Sequence, residues 1–394
     1  MSSVANPPDS VTTPPDQMAR PDEPQMVQML SPEGKRIAND EYDAYAADLT
    51  TEDLRTFYRD MVLVRRVDAE GNALQRQGHL GLWAPLLGQE AAQIGLGHAS
   101  RPQDFVFPTY REHGLAWCRG VAPETLLGVF RGQNHSGWDP HKLRFHPYTI
   151  VIGSQTLHAT GYAMGISLDG KTGTGDLDRD EVAIACLGDG ATSQGDVSEA
   201  LTFAGAFSAP VLFYCQNNQW AISEPTSVQT PAALSQRGVG FGVPGIRVDG
   251  NDILATYAVS RACLDRIRGG SGPFLIEAYT YRMGAHTTAD DPTKYRDSAL
   301  DEEWKAKDPL IRLRTYLEAH DDTPDDFFTE VDDAADALAE RIRHACVNME
   351  PPSVDEMFDY AYAEPHSLVA EEKQQYLEYL NSFAHDDTPE SEDA

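Results

Sequence analysis

The chain of 394 residues carries 62 Asp and Glu against 31 Lys and Arg, a formal net charge of −31 that makes nucleic acid an unfavourable partner. Its length allows one large α/β domain or two or three smaller ones; with no run of eighteen apolar residues and no basic, apolar leader it is expected to be neither membrane-spanning nor exported, hence cytoplasmic. Only seven of the basic residues are lysines and the acids are spread along the chain, the balance expected in a halophilic cytoplasm where salt screens self-repulsion.

Residues 1–33 hold Pro7, Pro8, Pro14, Pro15, Pro21, Pro24 and Pro32 among Ser, Thr and Asp, and are expected to form a disordered arm. From Thr51 to Gln75 the apolar positions Leu54, Phe57, Tyr58, Met61 and Val64 recur at helical spacing. Residues 157–168 read as a helix rich in Ala and Gly, which disposes of a decoy. Gly165 to Thr172 satisfies GxxxxGK[ST], but a phosphate loop follows a strand and opens a helix, and here the order is inverted. Next come a short β-rich run, Glu181–Leu187, a helix over Ser193–Ala206 and a second strand, Pro210–Cys215.

A further strand, Pro273–Tyr281, leads into the loop that carries His286. Between Asp301 and Ala345 acids alternate with apolar residues as on surface helices, and His385–Ala394 is an acidic tail. Strands alternating with helices predict an α/β fold, a mainly parallel sheet with helices on both faces and a helical C-terminal extension. Three regions are expected: the arm over 1–33, the α/β domain with its helical extension over 34–365, and a C-terminal helix with the acidic tail over 366–394. Cys118, Cys186, Cys215, Cys263 and Cys346 lack metal or disulfide spacing and are expected to be reduced.

The chemistry concentrates at Gly188-Asp189-Gly190, which is followed after 26 intervening residues by Asn217-Asn218. A right-handed strand–helix–strand unit returns the chain to the same carboxyl edge of a parallel sheet, so Asp189 and Asn218 are expected side by side where α/β ligands bind. Magnesium takes oxygen ligands from one or two carboxylates, phosphate and water. The glycines allow backbone N–H groups to approach a diphosphate, aided by the helix that follows. The pattern therefore predicts a magnesium–diphosphate clasp.

The stretch from Gly188 to Ser223 resembles the thiamine diphosphate motif of the alpha subunit of the decarboxylating component of 2-oxoacid dehydrogenase complexes. The likeness is nearest to the bacterial pyruvate type, with the branched-chain type almost as near. It runs from about Thr51 to Glu318 and takes in, in the family's order, Gly88-Gln89-Glu90-Ala91, Tyr110-Arg111-Glu112-His113, Gly153-Ser154-Gln155, Arg247-Val248-Asp249-Gly250 and Arg282 to Arg296.

The resemblance implies a thiamine diphosphate-binding fold and oxidative decarboxylation of a 2-oxo acid, pyruvate or branched-chain, with acyl transfer to the lipoamide of a transacylase. It places magnesium on Asp189, Asn218 and the carbonyl of Trp220, and the diphosphate against Tyr110, Arg111, Gly190, Ala191 and His286. The backbone of Ile150 and Ile152 would meet the aminopyrimidine ring, and His286 would assist the acyl transfer. Trp83 and Ala84 stand where some relatives place other pocket-wall residues, and Gln216 where the branched-chain type has arginine. Both leave the substrate open.

Members of this family draw the glutamate that activates the aminopyrimidine from a separate beta chain, and no second domain of this kind is found in the sequence. The implied assembly is a heterotetramer of two alpha and two beta chains with the cofactor at their interface. An acetoin dehydrogenase alpha subunit, and a non-catalytic assembly or regulatory subunit that retains the motif, are the alternatives.

Overall fold

Five parallel strands form the central sheet of the computed structural model, which describes residues 23–133, 136–320, 323, 324 and 326–383. In chain order the strands are β1 (Phe105–Phe107), β2 (Ala183–Gly188), β3 (Val211–Asn217), a short antiparallel ribbon of β4 (Trp220–Ala221) and β5 (Glu224–Pro225), then β6 (Gly245–Asp249) and β7 (Phe274–Tyr279). In space the sheet runs β1-β2-β3-β7-β6. The central strands are continuously apolar because both faces are covered. Alternate residues enter opposite cores: Ile184, Cys186, Leu212 and Tyr214 join one, and Ala185, Leu187, Phe213 and Cys215 the other.

Helices Thr51–Arg76, Glu90–Ala99 and Ile253–Arg268 contribute to the first core, and Ser154–Leu168 and Gly195–Phe207 to the second, giving the expected α/β layers. The first of these starts at a capping box in which Thr50 and Asp53 satisfy each other's backbone N–H. Its Phe57, Tyr58, Met61 and Val64 are buried, and Leu54 is half-buried. The helix expected from residue 157 begins at Ser154 and ends at Leu168, so Gly170-Lys171-Thr172 follows a helix rather than opening one. The helix expected from Ser193 begins at Gly195, because a 3-10 turn over Asp189–Ser193 first carries the chain off the end of β2.

The expected disordered arm is corrected over residues 23–33, the part of it that is described. Val27 pairs in parallel with Val248 beside β6, and Met29 and Leu30 are fully buried with their N–H groups donating to Asp252 at 2.7 and 2.6 Å. The apolar run Met26 to Leu30 is held by a partner more than two hundred residues away, and the neighbouring prolines concealed it. Residues 1–22 and 384–394, which include the whole acidic tail, lie outside the described residues. The C-terminal helix Ser367–Phe383 buries none of its residues and packs chiefly on Val354–Asp359. The five cysteines are free. Among the described residues no helix is long and apolar enough to cross a membrane.

Candidate active site

The carboxyl ends of β1, β2, β3 and β7 deliver Tyr110 and Arg111, Gly188 to Ala191, Gln216 to Trp220, and Arg282 to His286 to one edge of the sheet, as parallel topology requires. There they border a cleft of about 270 Å³. Tyr110, Arg111, Ile152, Asp189, Gly190, Ala191, Asn218, Trp220 and His286 all line it. Ile150 does not: the loop before helix Ser154–Leu168 turns its side chain outward, 64% exposed.

Asp189 is buried, and burial raises its carboxyl pKa. Its Oδ2 accepts from Thr226 Oγ1 at 2.8 Å. Asn218 donates through Nδ2 to Gln89 Oε1 at 3.1 Å, while its Oδ1 accepts a long bond from Trp220 N–H at 3.3 Å. The Trp220 carbonyl accepts from Arg282 Nη1 at 3.2 Å. A carboxylate, an amide oxygen and a backbone carbonyl are the hard donors magnesium selects. Asn217, the other half of the pair, instead donates through Nδ2 to buried Glu277 Oε1 at 2.7 Å.

The cleft is also electropositive. Arg111, 6% exposed, donates to the carbonyls of Pro85 and His286, the latter at 2.8 Å, and to His286 Nδ1 at 3.3 Å. Arg282, fully buried, donates to His286 Nδ1 at 3.2 Å, to Ile222 O at 2.9 Å and to the Tyr295 hydroxyl at 3.1 Å, and its Nε has no partner. Among the described residues neither guanidinium makes an ion pair with a carboxylate. Burial and then Arg111 push the Arg282 pKa down to about 10.

Burial, Arg111 and Arg282 together push His286 down to about 3, so its imidazole is neutral. Because Nδ1 accepts from both guanidiniums, its proton sits on Nε2. Two buried guanidiniums that make no ion pair, flanking a neutral imidazole, suit an anion from outside, with Asp189 and Asp290 as nearby protein carboxylates.

Arg282 is the cleft residue that sequence reasoning passes over, although it opens the motif running to Arg296. Its one signal is position, just beyond a core strand and four residues before His286. A chain of polar groups that runs from Gln93 to the cleft wall at Gln216, Glu112 and Thr109 is likewise invisible in the sequence. Gln93 Nε2 donates to Gln216 Oε1 at 3.0 Å, Gln216 Nε2 to Glu112 Oε1 at 2.8 Å, and Thr109 N–H to Glu112 Oε2 at 2.7 Å.

Trp83 and Ala84 do not border the cleft. Trp83 stacks on His113 at 4.5 Å and donates its indole N–H to Asp68 at 2.8 Å, and the Ala84 carbonyl bonds His113 at 2.9 Å. They set the loop whose Pro85 carbonyl holds Arg111.

Residues 58–350 match the model of the family described as dehydrogenase E1 component. A Mycobacterium tuberculosis protein named 3-methyl-2-oxobutanoate dehydrogenase subunit alpha is 45% identical over 86% of this chain and 89% of its own length. Proteins named pyruvate dehydrogenase E1 component subunit alpha are similar too. That of Acholeplasma laidlawii is 39% identical over 84% of this chain and 95% of its own, and that of Staphylococcus aureus 38% over 90% and 93%. Among these three the branched-chain name ranks ahead of the pyruvate name, the reverse of the expected order.

Proposed function

The chain belongs to the dehydrogenase E1 component family, and we infer that it is the alpha subunit of a 2-oxoacid dehydrogenase, an oxidoreductase that decarboxylates pyruvate or a branched-chain 2-oxo acid and passes the acyl group to lipoamide. The family implies thiamine diphosphate. The observation that carries this reading to the cleft is the pair Arg111 and Arg282, buried around neutral His286 without a direct ion pair to a carboxylate.

A diphosphate supplies the missing anion, and the oxygens of Asp189, Asn218 and Trp220 would hold its magnesium. Bound thiamine diphosphate supplies the electron sink for decarboxylation. The chain's own residues do the rest. Arg111 and Tyr110 fix the anion from the β1 side, and the backbone of Gly190 and Ala191 approaches it from the turn after β2. Ile152, with the backbone of Ile150, would meet the aminopyrimidine. His286 offers its Nε2–H; once an anion offsets the guanidiniums its pKa rises toward neutrality, where it can move a proton during acyl transfer.

The activating glutamate belongs to a beta subunit, and two alpha with two beta chains form the working enzyme, which hands its product to a lipoyl-bearing transacylase. Apolar side chains left exposed at Ile150, Val151, Phe203 and Phe207 support a covering partner. The acidic, lysine-poor composition supports a salt-adapted cytoplasmic enzyme.

The test is 2-oxo acid-dependent reduction of a redox dye by this chain alone and by the chain co-expressed with its beta subunit, over pyruvate, the branched-chain 2-oxo acids and acetoin. Activity is expected with the oxo acids and only in the co-expressed assembly. Full activity of the isolated chain would refute the shared site, turnover of acetoin alone would refute the substrate class, and silence in every combination would refute a catalytic role.

A further inference from the structure

The segment after the asparagine pair doubles back sharply. Gln219 and Ile222 both lie in the left-handed region, at φ of 70° and 56°. A β-branched isoleucine takes that conformation only where its surroundings impose it. β4 lies between them and pairs with β5 just beyond Ile222, which lays the single helical turn Thr226–Gln229 against the 3-10 turn that starts at Asp189. The packing is close enough to require glycine at 190, where a Cβ would sit 2.7 Å from that of Ala221.

The reversal brings two side-chain donors to one carboxylate oxygen. Thr226 Oγ1 donates to Asp189 Oδ2 at 2.8 Å and Gln229 Nε2 reaches it at 3.4 Å, while Gln229 Oε1 accepts from Ser193 Oγ at 3.2 Å. Thr226 Oγ1 also lies 3.2 Å from Asn217 Oδ1. A hydroxyl has one proton, and the shorter contact to the charged acceptor takes it. Both donors act on Oδ2, so Oδ1 is the oxygen left for the cleft.

We infer that Thr226, seconded by Gln229, is a positioning residue for Asp189: it occupies Oδ2, fixes the carboxylate rotamer and presents Oδ1 to the divalent cation. This rests on the reading of Asp189 as a magnesium ligand given above. Magnesium tolerates little departure from octahedral geometry, so a carboxylate aimed in advance binds it better than one free to rotate. Partners that orient a ligand in this way are worth about 10–100-fold in metal affinity. A threonine that merely closed the turn would change the melting temperature and leave the metal alone.

The test is manganese binding to the full chain co-expressed with its beta subunit, in the presence of thiamine diphosphate, with free Mn²⁺ read by electron paramagnetic resonance. Thr226→Val should weaken Mn²⁺ binding about tenfold or more, Gln229→Ala less, and Thr226→Ser should bind as wild type does. Wild-type affinity in Thr226→Val, to within about twofold, alongside lost binding in Asp189→Ala, would overturn the inference and leave the magnesium reading standing. Wild-type affinity in Asp189→Ala would remove both. Should the valine variant fail to assemble, Thr226→Ala decides in its place: weakened Mn²⁺ binding beside an unimpaired serine variant supports the role, and wild-type affinity overturns it.

Discussion

Two sets of buried arginines divide the molecule. Arg268 and Arg312 lie inside the fold and each meets a buried carboxylate, Asp104 for the first and Asp249 at 2.9 Å for the second. Arg111 and Arg282 are also buried, at the ends of β1 and β7, yet they hydrogen-bond only to carbonyls, a hydroxyl and an imidazole. Burying a guanidinium costs solvation in either place. Where the fold supplies a direct ion pair the arginine is structural; where the guanidinium at the carboxyl edge has none, it remains available to a ligand.

The comparison breaks most readily in the core. Arg268→Ala strands Asp104 and should cost about 3–5 kcal/mol of stability in denaturant unfolding. Arg282→Met strands no carboxylate and should cost the ligand-free protein under about 2 kcal/mol. Its effect should fall on the ligand instead, weakening diphosphate binding by about 2–5 kcal/mol, thirtyfold or more, in calorimetry. Equal stability losses in the two variants would erase the distinction.

A smaller effect sharpens the contrast through pH. The folded protein holds the His286 pKa near 3 and the unfolded chain leaves it near 6.5, so between those values the unfolded chain binds the extra proton and stability falls as pH falls. His286→Gln lacks this loss and should therefore gain on wild type in melting temperature as pH drops from about 7 to about 4. Saturating inorganic pyrophosphate should shrink the gain, because an anion raises the imidazole pKa. A gap independent of pH would mean that neither burial nor the two guanidiniums hold the His286 pKa down.

The parts of this site that were legible in the sequence are those carried by local pattern. Gly188-Asp189-Gly190 and Asn218 were placed on one edge because strand, turn, helix and strand follow each other within a short stretch. Arg282 was not singled out, because an arginine after a strand looks like any other and its lack of a carboxylate is a three-dimensional fact. Thr226 and Gln229 were missed because the chain reverses at Gln219 and Ile222, where rules for turns look for glycine or asparagine. Met29 and Leu30 were hidden among prolines, since their partner Asp252 lies far along the chain. Ile150 stands in the loop before helix Ser154–Leu168 with its side chain exposed, and sequence does not tell which way such a loop faces.

The most direct measurement is calorimetric titration of thiamine diphosphate into the assembled enzyme, wild type and Asp189→Ala, with and without magnesium. Wild type should bind tightly only when magnesium is present, and Asp189→Ala should bind weakly and alike in both conditions while unfolding as a normal protein. Unchanged, magnesium-dependent affinity in Asp189→Ala would contradict the account.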